Sequence, residues 1–174
     1  MEKYKINFKE SLKILANDIG LDIKKNNYQA IEKNTKNKNT YFHIMNLITK
    51  YYHEKLKKNY VSNQFIASFL KSKNIDTKTI EKFCLGYSES FDSVIGFLLE
   101  NRIEPQTLLN FGILKKNSKG KIYDIFAKRI IFPIKDKLNN TIGFGGRILQ
   151  GNGPKYINSS ENDFFKKRLL LYNM

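Results

Sequence analysis

The chain has 174 residues, of which 41% are hydrophobic and 27% are charged, as in a globular protein that buries its own core. The single cysteine, Cys84, excludes an internal disulfide and a cysteine-based zinc site, and the absence of a signal-peptide core or a membrane-length apolar run predicts a cytoplasmic protein. The net charge of +15 is concentrated in residues 115–174, with 13 basic and 4 acidic residues, which favours a phosphate-bearing partner unless it reflects a lysine-rich proteome.

The N-terminal region is predicted to be one helix followed by a linker. Apolar residues recur at helical spacing from Phe8 to Ile19, which predicts a helix within residues 1–23. Residues 24–40 are polar and nearly without pattern, and we interpret them as a flexible linker.

Further helices are predicted over residues 41–112. The first covers about 41–58 because apolar residues return to one helical face there. Three of the other helices begin at typical start residues, namely Ser62, Asp76 and Pro105. A further helix is predicted over residues 92–100. Gly86 and Gly112 are predicted to end helices.

Near residue 113 the hydrophobic pattern changes to that of strands, which we expect over 113–158. RIIFPI reads as a buried strand in which Pro133, lacking an N–H group, predicts a missing or bulged neighbour. TIGFGGRIL and KYIN are further strands. Helices followed by a small antiparallel or mixed sheet define the α+β class, and residues 159–174 are interpreted as an exit segment.

No catalytic or metal-binding motif is visible in the sequence. His43 and His53 are ten residues apart, which is not a metal-ligand spacing. The carboxylates of the strand region are scattered over turns: Asp124, Asp136, Glu161 and Asp163. We therefore predict no catalytic residue and no metal site in this chain.

The glycines of GFGGR allow two interpretations. They are neither a phosphate-binding loop with GK[ST] nor a dinucleotide fingerprint that opens a helix. They mark a bulged or bent strand, which the glycines alone favour, or a bare backbone that a ligand approaches closely.

The residues beside these glycines suit a sugar-phosphate chain. Arg147 offers a planar fork for phosphate, Lys155 a point charge and Asn158 an amide. Tyr156 offers a stacking plane, although we expect its ring to pack in the core. Each of these cations could equally be a solvated charge at a strand edge.

At these motifs the sequence resembles the catalytic core of bacterial replicative primases of the DnaG type. The matching motifs are RIIFPIKD, IGFGGR and PKYINS, supported upstream by FIASFLKSKNIDTKTIEKFCLGYSE. The resemblance implies the N-terminal subdomain of the RNA polymerase core, without the preceding zinc-binding domain and the following Toprim domain. It implies an enzyme that makes short RNA primers on single-stranded DNA.

The resemblance also implies which residues contact template or nucleotide phosphates. They are Arg147, Lys155, Tyr156, Asn158, Arg129, Lys167 and Lys73. Ala127 replaces a family arginine, which removes one expected phosphate contact. The metals of the full-length protein, Mg²⁺ or Mn²⁺ on Toprim and Zn²⁺ on the zinc-binding domain, would lie outside this chain.

The resemblance implies single-stranded DNA, RNA primer and nucleoside triphosphates as partners, and a replicative helicase bound through a C-terminal domain outside this chain. The fragment alone is predicted to be inactive. Two alternatives remain open at this point: a stand-alone module that binds single-stranded nucleic acid, and an interaction domain whose basic face meets an acidic protein.

Overall fold

The computed structural model describes residues 10, 11, 14, 15, 18 and 25–167, with the side chains of residues 25–34 excepted. Residues 10, 11, 14, 15 and 18 are helical. The rest of the predicted N-terminal helix and the exit segment from residue 168 onward lie outside the described residues. The chain divides into two compact units after Tyr41, and the second unit contains every strand of the described part.

The helices of the described part are α1 (Lys25–Ser62), α2 (Gln64–Lys71), α3 (Thr77–Phe83), α4 (Ser93–Glu100) and α5 (Pro105–Asn110). The strands are β1 (Gly86–Ser88), β2 (Leu114–Lys116), β3 (Ile122–Asp124), β4 (Arg129–Lys135), β5 (Thr141–Ile148) and β6 (Tyr156–Asn158). A helical N-terminal half followed by antiparallel strands confirms the predicted α+β class.

Helix α1 corrects the prediction of a linker. Residues 25–40 are helical and continuous with the helix expected from residue 41, so the predicted irregular backbone is wrong for residues 25–40. The segment has no proline or glycine to stop a helix, and each added residue extends an existing helix by one hydrogen bond. Residues 35–40 are all exposed, which explains why no apolar pattern marks this part of the helix.

Helix α1 lines the core of the second unit with buried side chains three or four positions apart. Met45, Ile48, Tyr52 and Leu56 are completely buried. The Tyr52 ring meets the Phe144 ring of β5 edge to face, with centroids 5.7 Å apart. This contact fixes α1 against one side of the sheet.

Two helix boundaries differ from the prediction. Ser62 still belongs to α1, and the side chain of Asn63 caps α2 by accepting from the N–H groups of Phe65 and Ile66. Helix α3 ends at Cys84, which is half-buried and has a left-handed φ of 50°, whereas Gly86 already belongs to β1. The predicted cap at Asp76 is confirmed, since its carboxylate accepts from Thr79 N at 2.7 Å.

Strands β1, β4, β5 and β6 form an antiparallel sheet in that order, and β2 and β3 form a separate hairpin. Strand β1 pairs only with residues 129–131 of β4, so no strand of the described residues lies on that side of Pro133, as its missing N–H group predicted. Strand β1 itself was not predicted, because three residues directly after a helix carry too little pattern.

A buried carboxylate joins α1, β1 and β3. Asp124 accepts hydrogen bonds from Tyr52 Oη at 2.9 Å, from Ser88 Oγ at 2.6 Å and from the N–H of Phe126 at 2.7 Å. Burial raises the pKa of Asp124 to about 6, and the three donors oppose that rise because they stabilise the ionised form. The predicted placement of this carboxylate on a turn is therefore wrong, since it ends β3 inside the core.

Candidate nucleic-acid interface

The register of the sheet brings three of the predicted residues to one side. Arg147 pairs with Tyr156 of β6, and Gly145 pairs with Asn158. Residues directly opposite each other point the same way, and side chains alternate along a strand. Gly145, Arg147, Tyr156 and Asn158 therefore share one side of the sheet, which we call the front face.

Helices α2 and α3 cover only part of the front face. Ile130 of β4 shares this face because it pairs with Arg147, and it is buried in an apolar cluster. The cluster also contains Leu56, Ile66, Leu70, Ile80 and Leu85. The half of the face formed by β5 and β6 lies beside this cover, and Tyr156 and Asn158 are exposed there.

The glycines of β5 have different reasons to be glycine. A Cβ on Gly143 would lie 2.9 Å from the Phe165 ring, and one on Gly146 would lie 2.5 Å from the Phe126 ring. These two positions are structural, because the two rings leave no room for a side chain. A Cβ on Gly145 would find only Asn158 Oδ1 at 3.2 Å and Phe132 atoms at 3.9 Å, so Gly145 alone leaves bare backbone on the front face.

The guanidinium of Arg147 is held by aromatic rings. Its Cζ lies 4.9 Å from the centroid of the Phe69 ring and 5.5 Å from that of Tyr156. Its Nε is buried and has no hydrogen-bond partner among the described residues. No ion pair within the described part of the chain involves Arg147.

Lys155 and Tyr156 lie next to this arginine. The Lys155 ammonium is 5.9 Å from the centroid of the Tyr156 ring, and Lys155 is exposed. Tyr156 is 59% exposed, so the expectation that its ring packs in the core is wrong. The physical reason is that β6 is an edge strand of only three residues, and Tyr156 stands at its start.

Arg129 lies on the other side of the sheet. It pairs with Ile148, one position out of phase with Arg147, and it is only 7% exposed. Its Nη1 donates to the carbonyl of Pro154 at 2.8 Å, and burial lowers the pKa of its guanidinium. In this conformation Arg129 holds the loop that leads to Lys155, and it does not converge with Arg147.

Lys73 and Lys167 are exposed at other places. Lys73 lies in the turn after α2, where its N–H donates to Leu70 O. Lys167 follows Phe165, and its N–H donates to Glu161 Oε1 at 2.7 Å. Within the described residues neither ammonium group makes a hydrogen bond or an ion pair, and the roles of both lysines stay predictions. Ala127, which replaces the family arginine, is buried.

Sequence reasoning missed Phe69 as a neighbour of the site. Phe69 lies on α2 and packs against the apolar cluster. The ring of a residue 78 positions before Arg147 reaches that arginine only through tertiary packing. No local signal marks this contact.

Two kinds of feature are absent from the described residues. Residues 10, 11, 14, 15, 18 and 25–167 contain no group of three or more histidine, cysteine, aspartate or glutamate side chains placed to hold a metal ion. Within the same residues, no helix has the length and apolar character needed to cross a membrane.

The chain matches the family of the DNA primase catalytic core, N-terminal domain, over residues 51–174. The DNA primase of Pasteurella multocida is 33% identical over 178 aligned residues, which cover all of this chain and 30% of that relative. The chain therefore belongs to the family of the DNA primase catalytic core, N-terminal domain, and the resemblance read from GFGGR and PKYIN is confirmed. It spans about 30% of the length of the curated relatives that it matches.

Solved structures agree with this family. A DnaG primase catalytic domain bound to single-stranded DNA is 32% identical with a TM-score of 0.69, over 79% of this chain and 44% of that one. The zinc-binding and RNA polymerase domains of Aquifex aeolicus primase are also 32% identical, with a TM-score of 0.67, over 92% of this chain and 37% of that one.

Proposed function

We propose that this chain is the part of a DNA primase that binds template or nucleotide phosphates, in an enzyme that synthesises RNA primers on single-stranded DNA. The observation that carries the proposal is the front face. Arg147 offers a guanidinium that no acceptor in the described residues occupies, beside the bare backbone of Gly145 and the exposed Lys155 and Tyr156.

The chemistry of the front face suits a single strand. A fork of N–H donors and an ammonium group neutralise phosphates, and an exposed tyrosine ring offers a surface on which a base stacks. Asn158 adds an amide that bonds to sugar or phosphate. The structurally similar DnaG domain bound to single-stranded DNA supports this class of ligand.

The rest of the enzyme lies outside this chain in the proposal. Nucleotide transfer needs metal-bound carboxylates, which we assign, with Mg²⁺ or Mn²⁺, to a Toprim domain and not to the residues described here. Zinc belongs to a separate binding domain, and the replicative helicase would contact a C-terminal domain. The chain alone is expected to make no primer, and a cytoplasmic location, where the bacterial chromosome is copied, is part of the proposal.

The salt dependence of oligonucleotide binding tests the proposal. With about five phosphate contacts, the plot of log affinity against log salt should have a slope of roughly −3.5, at about −0.7 per contact for a single strand. Arg147→Ala and Lys155→Ala should each flatten the slope by roughly 0.7. The measurement is fluorescence anisotropy of a labelled oligothymidylate over a series of salt concentrations.

Lys137→Ala is the matched control. Lys137 is an exposed cation in the turn between β4 and β5, at the opposite end of these strands from Arg147. Its removal lowers the net charge equally and should leave the slope nearly unchanged. A wild-type slope near zero, or equal flattening by all three substitutions, would contradict binding at the front face.

A further inference from the structure

We propose that Phe69 of α2 is a positioning residue that, together with Tyr156, orients the guanidinium of Arg147 for a phosphate. The inference rests on the proposed function of the front face and assigns part of that function to the helical half of the chain. It explains why the arginine is held in place although no hydrogen bond or ion pair within the described residues holds it.

The guanidinium carbon of Arg147 lies over two aromatic rings. Its Cζ lies 4.9 Å from the Phe69 ring centroid and 5.5 Å from the Tyr156 ring centroid. Aromatic rings attract the guanidinium through their π faces and use none of its N–H donors. A carboxylate at the same place would bind the planar fork that a phosphate needs.

The ion pairs found among the described residues involve cations other than Arg147. Glu89 pairs with Lys55 at 2.7 Å, Glu81 pairs with Lys57 at 3.1 Å, and Asp92 pairs with Lys121 at 3.2 Å. Arg147 therefore keeps its charge and its terminal donors for a ligand, while the rings limit its conformational freedom.

Helix α2 fixes the Phe69 ring. Ile66 and Leu70, on either side of Phe69 along the helix, are buried in the apolar cluster with Ile130. Because Ile130 pairs with Arg147 on the front face, the same packing that anchors α2 sets the ring beside the guanidinium. The position of Arg147 thus depends on the helical half as well as on the sheet.

The test compares three substitutions at half-buried phenylalanines of this cluster. Phe69→Leu keeps apolar bulk but removes the ring, and Phe69→Tyr keeps the ring. Phe83→Leu is the control, since Phe83 packs on the same cluster and its neighbouring cation is Lys82, not Arg147. For each variant, thermal unfolding, oligothymidylate affinity, the salt slope and the Arg147 Nε–Hε NMR signal are measured in the whole 174-residue chain.

Phe69→Leu should weaken binding about two- to tenfold, the range of a lost cation–π contact, while the salt slope stays the same because the charge remains. The Arg147 Hε signal should move in this variant, because the ring current of Phe69 is lost. Phe69→Tyr should restore both the affinity and the signal. Phe83→Leu should change neither the affinity nor the Hε signal. It should lower the melting temperature by about as much as Phe69→Leu does.

Wild-type affinity and an unmoved Hε signal in Phe69→Leu would overturn the inference, as would an equal loss of affinity in Phe83→Leu. If Phe69→Leu fails to fold, Tyr156→Leu on the exposed edge strand tests the contact of the guanidinium with the second ring, and an unmoved Hε signal there overturns the joint role of the two rings. If the wild-type chain binds no oligonucleotide, the proposed function fails. An Hε signal that still moves in Phe69→Leu then shows that the ring contact exists without that function.

Discussion

At the scale of single residues, the glycines of β5 divide into structural and open positions. Rings of Phe165 and Phe126 lie against Gly143 and Gly146, so these sites reject any side chain. Gly145 lies on the front face, next to Arg147 along β5 and opposite Asn158 of β6. The atom nearest to a Cβ added there is the movable end of the Asn158 side chain, and we call this open backbone the bare strip. The same residue type therefore serves packing at two positions and access at the third.

Alanine at two neighbouring glycines separates these roles. Gly146→Ala places a methyl group against the Phe126 ring and should destabilise the fold by about 1–3 kcal/mol, as overpacking does. Gly145→Ala should melt close to wild type but bind oligothymidylate more weakly, because its methyl group stands in the bare strip. Thermal unfolding and anisotropy check both. If Gly145→Ala loses stability but binds normally when folded, the bare strip has no role in binding.

A second prediction at this scale concerns Asp124. Its pKa of about 6 in the fold lies above the ordinary 3.8, so the folded state binds the proton more tightly than the unfolded state. The contribution of this group to stability is therefore greatest at low pH and declines as the pH rises from about 4 to above 6. Between pH 4.5 and 7 the decline should be roughly 2 kcal/mol.

Denaturant unfolding of wild type and Asp124→Asn at both pH values measures this decline. It equals the change in unfolding free energy with pH in the wild type minus the same change in the variant. The substitution should remove it, whereas Asp163→Asn, at an exposed carboxylate, should leave it unchanged. The same change with pH in wild type and Asp124→Asn would show that Asp124 does not titrate in this window.

At the scale of elements, local sequence signals predicted most helices and strands. Pro105 opens α5, Gly112 follows it with a left-handed φ of 71°, and Pro133 sits where β4 lacks one neighbour. The start of α1 at Lys25 could not be predicted, because residues 35–40 are exposed and a solvated helix carries no apolar pattern. Strand β1 depends on β4 for its hydrogen bonds, so its three residues alone do not predict it.

The candidate site was predictable only where it depends on local sequence pattern. Alternation along β5 and β6 predicts which side Arg147 and Tyr156 face, and the register confirms that they share it. The burial of Arg129 against Pro154 and the contact of Phe69 with Arg147 arise from residues 25 and 78 positions apart. Such long-range contacts leave no trace in local spacing.

At the scale of the whole molecule, the positive charge is distributed unevenly along the chain. The strand region carries most of the excess positive charge, and its front face is exposed beside the cover that α2 and α3 provide. The described residues hold no cluster suited to a metal ion. In the proposed enzyme this chain would hold phosphates while chemistry occurs on another domain.

The described residues expose a second cationic surface, so the place where a polyanion binds has to be measured. The hairpin of β2 and β3 exposes Lys115, Lys116 and Lys119, and Lys121 there pairs with Asp92. A polyanion attracted only by net charge would contact this hairpin as readily as the front face.

Titration of isotope-labelled chain with oligothymidylate, followed residue by residue by NMR, tests the central claim most directly. The largest shifts should fall on Gly145, Arg147, Lys155, Tyr156 and Asn158, with small shifts on the β2–β3 hairpin. Shifts spread over all exposed lysines, or concentrated on the hairpin while Arg147 stays unchanged, would contradict the front face as the binding surface.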